Sequence, residues 1–154
     1  MNDSKPRAVP SARTDFIHFV EITTRWMDND VYGHVNNVVY YSFFDTAVNQ
    51  FLIRQGALDI HSGSAIGLVV HSHCDYFAPL AFPCKVEAGI RVARAGSSSV
   101  QYDIGLFEAG APSSAARGQF VHVYVDRDSR RPQPLPAEIQ RALDCLARPR
   151  ADSC

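Results

Sequence analysis

The chain has 154 residues, 46% of them hydrophobic and 20% charged, with a formal net charge of −1. That length suits one domain able to bury roughly two-thirds of its unfolded surface, in an ordinary soluble globular composition. The near-zero charge and the lack of a basic stripe leave no electrostatic case for nucleic acid, and no apolar run is long enough to span a bilayer. Cys74, Cys84, Cys145 and Cys154 show no CxxC spacing, and the polar N-terminus has no signal-peptide core. Scattered thiols of this kind predict a cytoplasmic protein rather than a disulfide framework.

Taken in order, residues 1–15 read as a flexible lead-in, residues 16–147 as a single domain and residues 148–154 as a tail. Phe16–Trp26 reads as a strand. Phe16, Val20, Ile22 and Trp26 share one alternating face, which His18 and Thr24 interrupt. Next, Asp28-Asn29-Asp30-Val31-Tyr32-Gly33-His34-Val35-Asn36-Asn37 crowds acidic, imidazole and amide groups beside a glycine. This polar loop opens onto the apolar segment Val38–Ile53. There Tyr40, Phe43, Phe44, Ala47, Val48, Phe51 and Leu52 fill a wide arc opposite Ser42, Asp45, Thr46, Asn49 and Gln50. Such an arc predicts a helix buried over more than half its circumference. Asn36 or Asn37 is its expected N-cap and Gly56 its stop.

Four strand-like runs follow. In Ile66–Phe77, alternation puts Ile66, Leu68, Val70, Cys74 and Tyr76 on one face and Val69, His71, His73 and Asp75 on the other. Lys85–Ala93 turns inward Val86, Ala88, Ile90 and Val92. Ala95-Gly96-Ser97 makes a tight turn into a strand with Val100, Tyr102, Ile104 and Leu106 inward, and Gln119–Val125 is the last strand. After a proline-rich exit, Ala137–Ala147 reads as a short helix. One helix cannot bury so wide an apolar arc alone. A five-stranded antiparallel sheet curving around it is the economical α+β solution, and its edge strands invite a second copy.

The run Arg25-Trp26-x-Asp28-x-Asp30-x-x-Gly33-His34-Val35-Asn36-Asn37, leading into Tyr40 and Tyr41, resembles the signature of hotdog-fold acyl-CoA thioesterases of the 4-hydroxybenzoyl-CoA thioesterase type. Asp75-Tyr76-x-x-Pro79 resembles that family's second strand and proline turn. Arg130-Arg131-Pro132-x-Pro134-x-Pro136 resembles the exit from its last strand. The resemblance runs through residues 16–145. It implies a hotdog fold and a homodimer, often paired into a homotetramer, with active sites between subunits.

By the same resemblance, the second acid of the D-x-D pair, Asp30, is the catalytic one, as nucleophile or as general base to water. The Asn37 backbone N–H is the donor to the thioester carbonyl, with the helix N-terminus as oxyanion site. Gly33 would allow close approach, and His34 would polarise or position substrate. Asp28 reads as structural. Asn36 orients the loop. Independently of the resemblance, Tyr40, Tyr41 and Phe44 read as lining of an acyl pocket or as plain core. Arg94, more than Arg91, with Ser97 and Ser98 would meet the nucleotide end of coenzyme A. No cofactor is expected beyond the coenzyme A of the substrate.

Plainer readings stand beside these. Asp30 also suits a turn or cap, His34 a loop-packing role, Asn36 an N-cap, and Arg94 a solvated hairpin tip. His71-x-His73-x-Asp75 echoes metallo-hydrolase ligands, but Tyr76 stands where a further histidine belongs, so no metal is expected. A non-catalytic acyl-CoA-binding protein and a hydratase or dehydratase pairing a carboxylate with a histidine remain as rivals.

Overall fold

The structure is a computed structural model that describes residues 6–147. The expected tail 148–154 and residues 1–5 of the lead-in lie outside the described residues. Five strands form one antiparallel sheet: β1 (His18–Thr23), β2 (Ala65–Tyr76), β3 (Lys85–Ala95), β4 (Ser99–Glu108) and β5 (Ala116–Asp126). Their order across the sheet is β1-β3-β4-β5-β2. The long helix α1 (Val39–Arg54) lies along the inner face, and a shorter α2 (Ala137–Ala147) packs beside β3. This is a hotdog fold. Among the described residues, no helix is long and apolar enough to cross a membrane.

The helical period in the sequence translates directly into burial. Tyr40, Phe43, Phe44, Ala47, Val48, Phe51 and Leu52 are buried, and the polar stripe faces outward. They meet Val86, Ala88 and Ile90 of β3 and Val100, Tyr102, Ile104 and Leu106 of β4, all fully buried. Each large apolar side chain in this layer contributes about 1.5–3 kcal/mol relative to exposure. At its C-terminus α1 closes as expected on Gly56, whose φ is 66°. Gly56 N–H donates to the Ile53 carbonyl at 3.0 Å and Ala57 N–H to the Leu52 carbonyl at 2.9 Å, a Schellman pair.

The N-terminus of α1 departs from the sequence reading. Val38 occupies the cap position, with no side-chain cap bond. Asn36 acts one step earlier, in the turn leading into the helix.

Two strand readings are also corrected. In β2 the pairing with β5 shifts register between Val69 and His71. This bulge around Val70 reverses the alternation. Gly67 and Val69 pair with the inward-facing Tyr124 and His122, and beyond the bulge Ser72, Cys74 and Tyr76 pair with Phe120, Gly118 and Ala116. Ile66 and Leu68 therefore lie on the opposite face from Cys74 and Tyr76, contrary to simple alternation.

Around β1, neither terminal aromatic joins the inner face with Val20 and Ile22. Trp26 sits in a 3-10 turn, 83% exposed, with its ring edge against Phe82. Phe16 is buried on the outer face. It covers Gly89 and Gly105, which lie opposite each other in β3 and β4, and meets Phe107 edge-on at 5.8 Å. A Cβ at Gly89 or Gly105 would stand 2.6 and 2.8 Å from the Phe16 ring, so both positions need glycine. Residues 11–13 hold this ring in place. Ser11 N–H donates to Ser114 Oγ at 2.9 Å, and Arg13 pairs with Glu87 while lying over the Phe19 and Phe107 rings.

Cys74 and Cys84 are free thiols, whereas Cys145 is disulfide-bonded. The disulfide at Cys145 departs from the unpaired thiols that the sequence spacing suggests.

Candidate active site

The loop between β1 and α1 is held by its own backbone. Asp28 closes the 3-10 turn Trp26–Asp28. Its carboxylate, 1% exposed, accepts the Arg25 N–H at 2.7 Å and the Arg25 guanidinium at 2.9 and 3.1 Å. An acid so buried and so fully bonded is a structural group. Asp30, two residues on, is only half-buried. Its N–H donates to the His34 carbonyl at 2.8 Å, its own carbonyl accepts the Gly33 N–H at 3.1 Å, and Oδ1 accepts the Tyr32 N–H at 2.8 Å. Among the described residues Oδ2 makes no hydrogen bond.

Gly33 has φ of 83°, a left-handed conformation that side chains disfavour, while a Cβ there would touch nothing within 4 Å. Glycine is therefore needed for the turn itself. The loop docks on the segment after β2. Val35 N–H donates to the Leu80 carbonyl at 2.7 Å, and Phe82 N–H donates to Asn29 Oδ1 at 3.0 Å.

Asn36 sets the entry to α1. Its N–H donates to the Asp28 carbonyl at 2.8 Å, its carbonyl accepts the Val39 N–H at 2.9 Å, and Oδ1 accepts the Val38 N–H at 3.2 Å. In a trans peptide the N–H points opposite to the carbonyl. With the Asn36 carbonyl turned to Val39, the Asn37 N–H points away from the helix, and among the described residues it has no acceptor. It adds to the positive end of the α1 dipole.

Beside that N–H opens a cleft of about 320 Å³. His34 and Asn37 line it from the loop, Tyr40 from α1, and residues 76–79 from the end of β2. The Tyr76 hydroxyl donates to the Asn37 carbonyl at 2.9 Å, and its ring meets Tyr40 edge-on at 5.0 Å. Burial pushes the Tyr40 and Tyr76 phenols up and the Cys74 thiol up to about 11, so all three stay protonated near neutral pH.

The structure thus brings His34 and Asn37 together in one cleft and keeps Asp30 and Gly33 in the turn just before them. Tyr41 is half-buried and does not line that cleft; it stacks on Phe120 at 6.4 Å and lies edge-on to Phe44 at 5.9 Å. Arg94, Ser97 and Ser98 sit at the far end of the β3–β4 hairpin, where the Ser97 and Ser98 carbonyls accept the N–H groups of Leu135 and Tyr124. The loop packs at the Lys85 end of β3, and the ten residue steps of that strand span about 33 Å. Within one protomer these three residues are not brought to the loop.

His71, His73 and Asp75 do share a face beyond the bulge, the outer one. They line a separate hollow there with Arg117 and Gln119. His73 Nε2 lies 3.6 Å from Asp75 Oδ1. Among the described residues, no group of three or more His, Cys, Asp or Glu is arranged to hold a metal. Tyr40 was a pocket candidate from sequence, whereas Tyr76 was not singled out as a cleft residue. The Asp75-Tyr76-x-x-Pro79 motif was the available signal, because it marks the strand end that faces the loop.

Comparison with solved structures places this geometry among known relatives. The PA5185 protein from Pseudomonas aeruginosa strain PAO1 is 56% identical, with 94% of this chain and all of that one covered and a TM-score of 0.88. Slr0204 of Synechocystis, a 1,4-dihydroxy-2-naphthoyl-CoA thioesterase, is 24% identical (85% and 98% covered, TM-score 0.75). A DHNA-CoA thioesterase from Staphylococcus aureus is 19% identical (84% and 89% covered, TM-score 0.74). These last two likenesses are of fold. No curated protein matches the chain. The model of the thioesterase-like superfamily matches residues 24–143, from the end of β1 into α2 and across the whole loop and cleft. The chain belongs to the thioesterase-like superfamily.

Proposed function

We propose that the protein is an acyl-CoA thioesterase of the 4-hydroxybenzoyl-CoA thioesterase type, hydrolysing an acyl-CoA thioester to a free acid and coenzyme A. The observation that carries this reading is the Asn37 N–H, without an acceptor among the described residues, on a residue at the start of α1 that lines a cleft with His34 next to the Asp30 turn. A thioester carbonyl accepting that N–H would be polarised there, and the negative charge that develops on its oxygen is favoured at a helix N-terminus.

Asp30 Oδ2 acts in one of two ways. As general base it takes a proton from water while the water oxygen bonds to the carbonyl carbon. As nucleophile it forms a mixed anhydride that water then cleaves. In either case the C–S bond breaks, and coenzyme A leaves as a thiolate that takes up a proton. No cofactor enters this scheme. Because Arg94, Ser97 and Ser98 lie far from the loop of their own chain, their contact with coenzyme A requires a partner protomer. The reading therefore includes a homodimer, or a homotetramer of paired dimers.

A panel of short, long and aromatic acyl-CoAs, with released thiol measured, tests the proposal. The wild type is expected to turn over at least one of them, with no hydration of enoyl-CoA. Asp30→Asn is expected to lower kcat by at least about 100-fold. An active wild type alongside a fully active Asp30→Asn would remove Asp30 from the mechanism.

A further inference from the structure

The Asn37 N–H is useful for catalysis only if its direction is fixed before substrate arrives, since preorganisation is what gives an oxyanion donor its effect. The N–H lies in the peptide plane before the Asn37 Cα, and that plane keeps its orientation only while the turn on both sides of the Cα is held. The plane before it is held by the bond from Val39 N–H to the Asn36 carbonyl. The plane after it carries the Asn37 carbonyl, which accepts the Tyr76 hydroxyl at 2.9 Å from the end of β2, 39 residues away. On its other edge the same plane donates Val38 N–H to Asn36 Oδ1 at 3.2 Å. Tyr76 is therefore the group that ties this turn to the sheet.

The ring of Tyr76 is itself constrained. It packs edge-on against Tyr40 at 5.0 Å and lies next to Cys74. A phenol kept protonated there is a donor at every working pH, and it is matched to a carbonyl, which can only accept. The residue also forms part of the cleft wall.

We infer that Tyr76 is a positioning residue for the oxyanion site: its hydroxyl, by holding the Asn37 carbonyl, fixes the Asn37 N–H on the line along which the thioester oxygen becomes negative. This rests on the thioesterase reading above and adds to it a residue from a different element. Removing the hydroxyl leaves the ring and the cleft in place, but it releases the Asn37 carbonyl and so loosens the turn that sets the direction of the Asn37 N–H.

The test uses Tyr76→Phe in the full chain, with the best acyl-CoA of the panel. On the order of tenfold loss in kcat is expected, less than for loss of an oxyanion donor itself, with KM within about twofold. Two ligands separate positioning from wall-building. An alkyl thioether of coenzyme A, which has no carbonyl, is expected to bind wild type and variant alike, which also reports that the variant is folded. A trifluoromethyl ketone analogue of the acyl-CoA, whose hydrate mimics the oxyanion, is expected to bind the variant about tenfold more weakly. Wild-type kcat in Tyr76→Phe, or equal weakening of both ligands, overturns the inference while leaving the thioesterase reading intact. A wild type that releases coenzyme A from no substrate overturns both.

Discussion

Asp28 and Asp30 are two residues apart and live in opposite environments. Asp28 is buried and saturated with donors from Arg25, whereas Asp30 spends one oxygen on its turn and, among the described residues, has no hydrogen bond to the other. That division could not be read from the D-x-D spacing, because it depends on which side chain the 3-10 turn carries inward. His122 is the opposite case, a buried polar group that the proposed chemistry does not use. It is 3% exposed between the rings of Tyr102, Phe120 and Tyr124, and among the described residues its Nε2 has no partner. Burial holds its pKa below the ordinary histidine value, opposed by the Asp45 carboxylate. Above the unfolded value of about 6.5 both states are neutral and the contribution is intact. As pH falls below that value the unfolded chain binds a proton that the folded one resists, so stability drops until the lowered folded pKa is passed. The melting temperature is expected to fall between pH 7.5 and 5.5, and to fall less in His122→Phe. An identical fall in that variant would assign the acid sensitivity to other groups.

At the scale of elements, α1 was legible in full on its buried face because one period of 3.6 governs every position of an isolated helix. β2 was not, because a single extra residue at Val70 inverts the alternation for everything after it, and no local signal in Leu68-Val69-Val70-His71 announces the bulge. The segment before β1 was equally hidden. Phe16 belongs to the outer face only because Gly89 and Gly105 come into register there, an alignment between strands distant in sequence. This ring is 5% exposed and lies under the Arg91 guanidinium at 5.3 Å. Phe16→Ala is expected to cost about 3–4 kcal/mol in urea denaturation, through lost burial and the cavity left over the two glycines. A cost below about 1 kcal/mol would mean that the segment adds little to the sheet.

For the whole molecule, the proposed dimer needs a surface on which two copies can meet. β2 is an edge strand, and beside the bulge it exposes Leu68, Val69 and Val70, at 37%, 46% and 60%. A long apolar edge left unpaired is a template for another strand. Self-association is expected in sedimentation velocity at micromolar concentration, and Val70→Lys is expected to shift it toward monomer. A wild type that stays monomeric would leave Arg94, Ser97 and Ser98 without a route to coenzyme A. The sequence by itself determined the helix and its buried face, the α+β class, the β3–β4 hairpin and the identity of the loop. Each of these rests on local periodicity, turn chemistry or a contiguous motif. Only the tertiary structure decided that the Asn37 N–H has no acceptor among the described residues, that Tyr76 lines the cleft and bonds the Asn37 carbonyl, and that Phe16 covers Gly89 and Gly105 on the outer face. Those depend on residues far apart in the chain meeting at hydrogen-bond or ring-contact distance, and proximity of that kind leaves no periodic trace in the sequence.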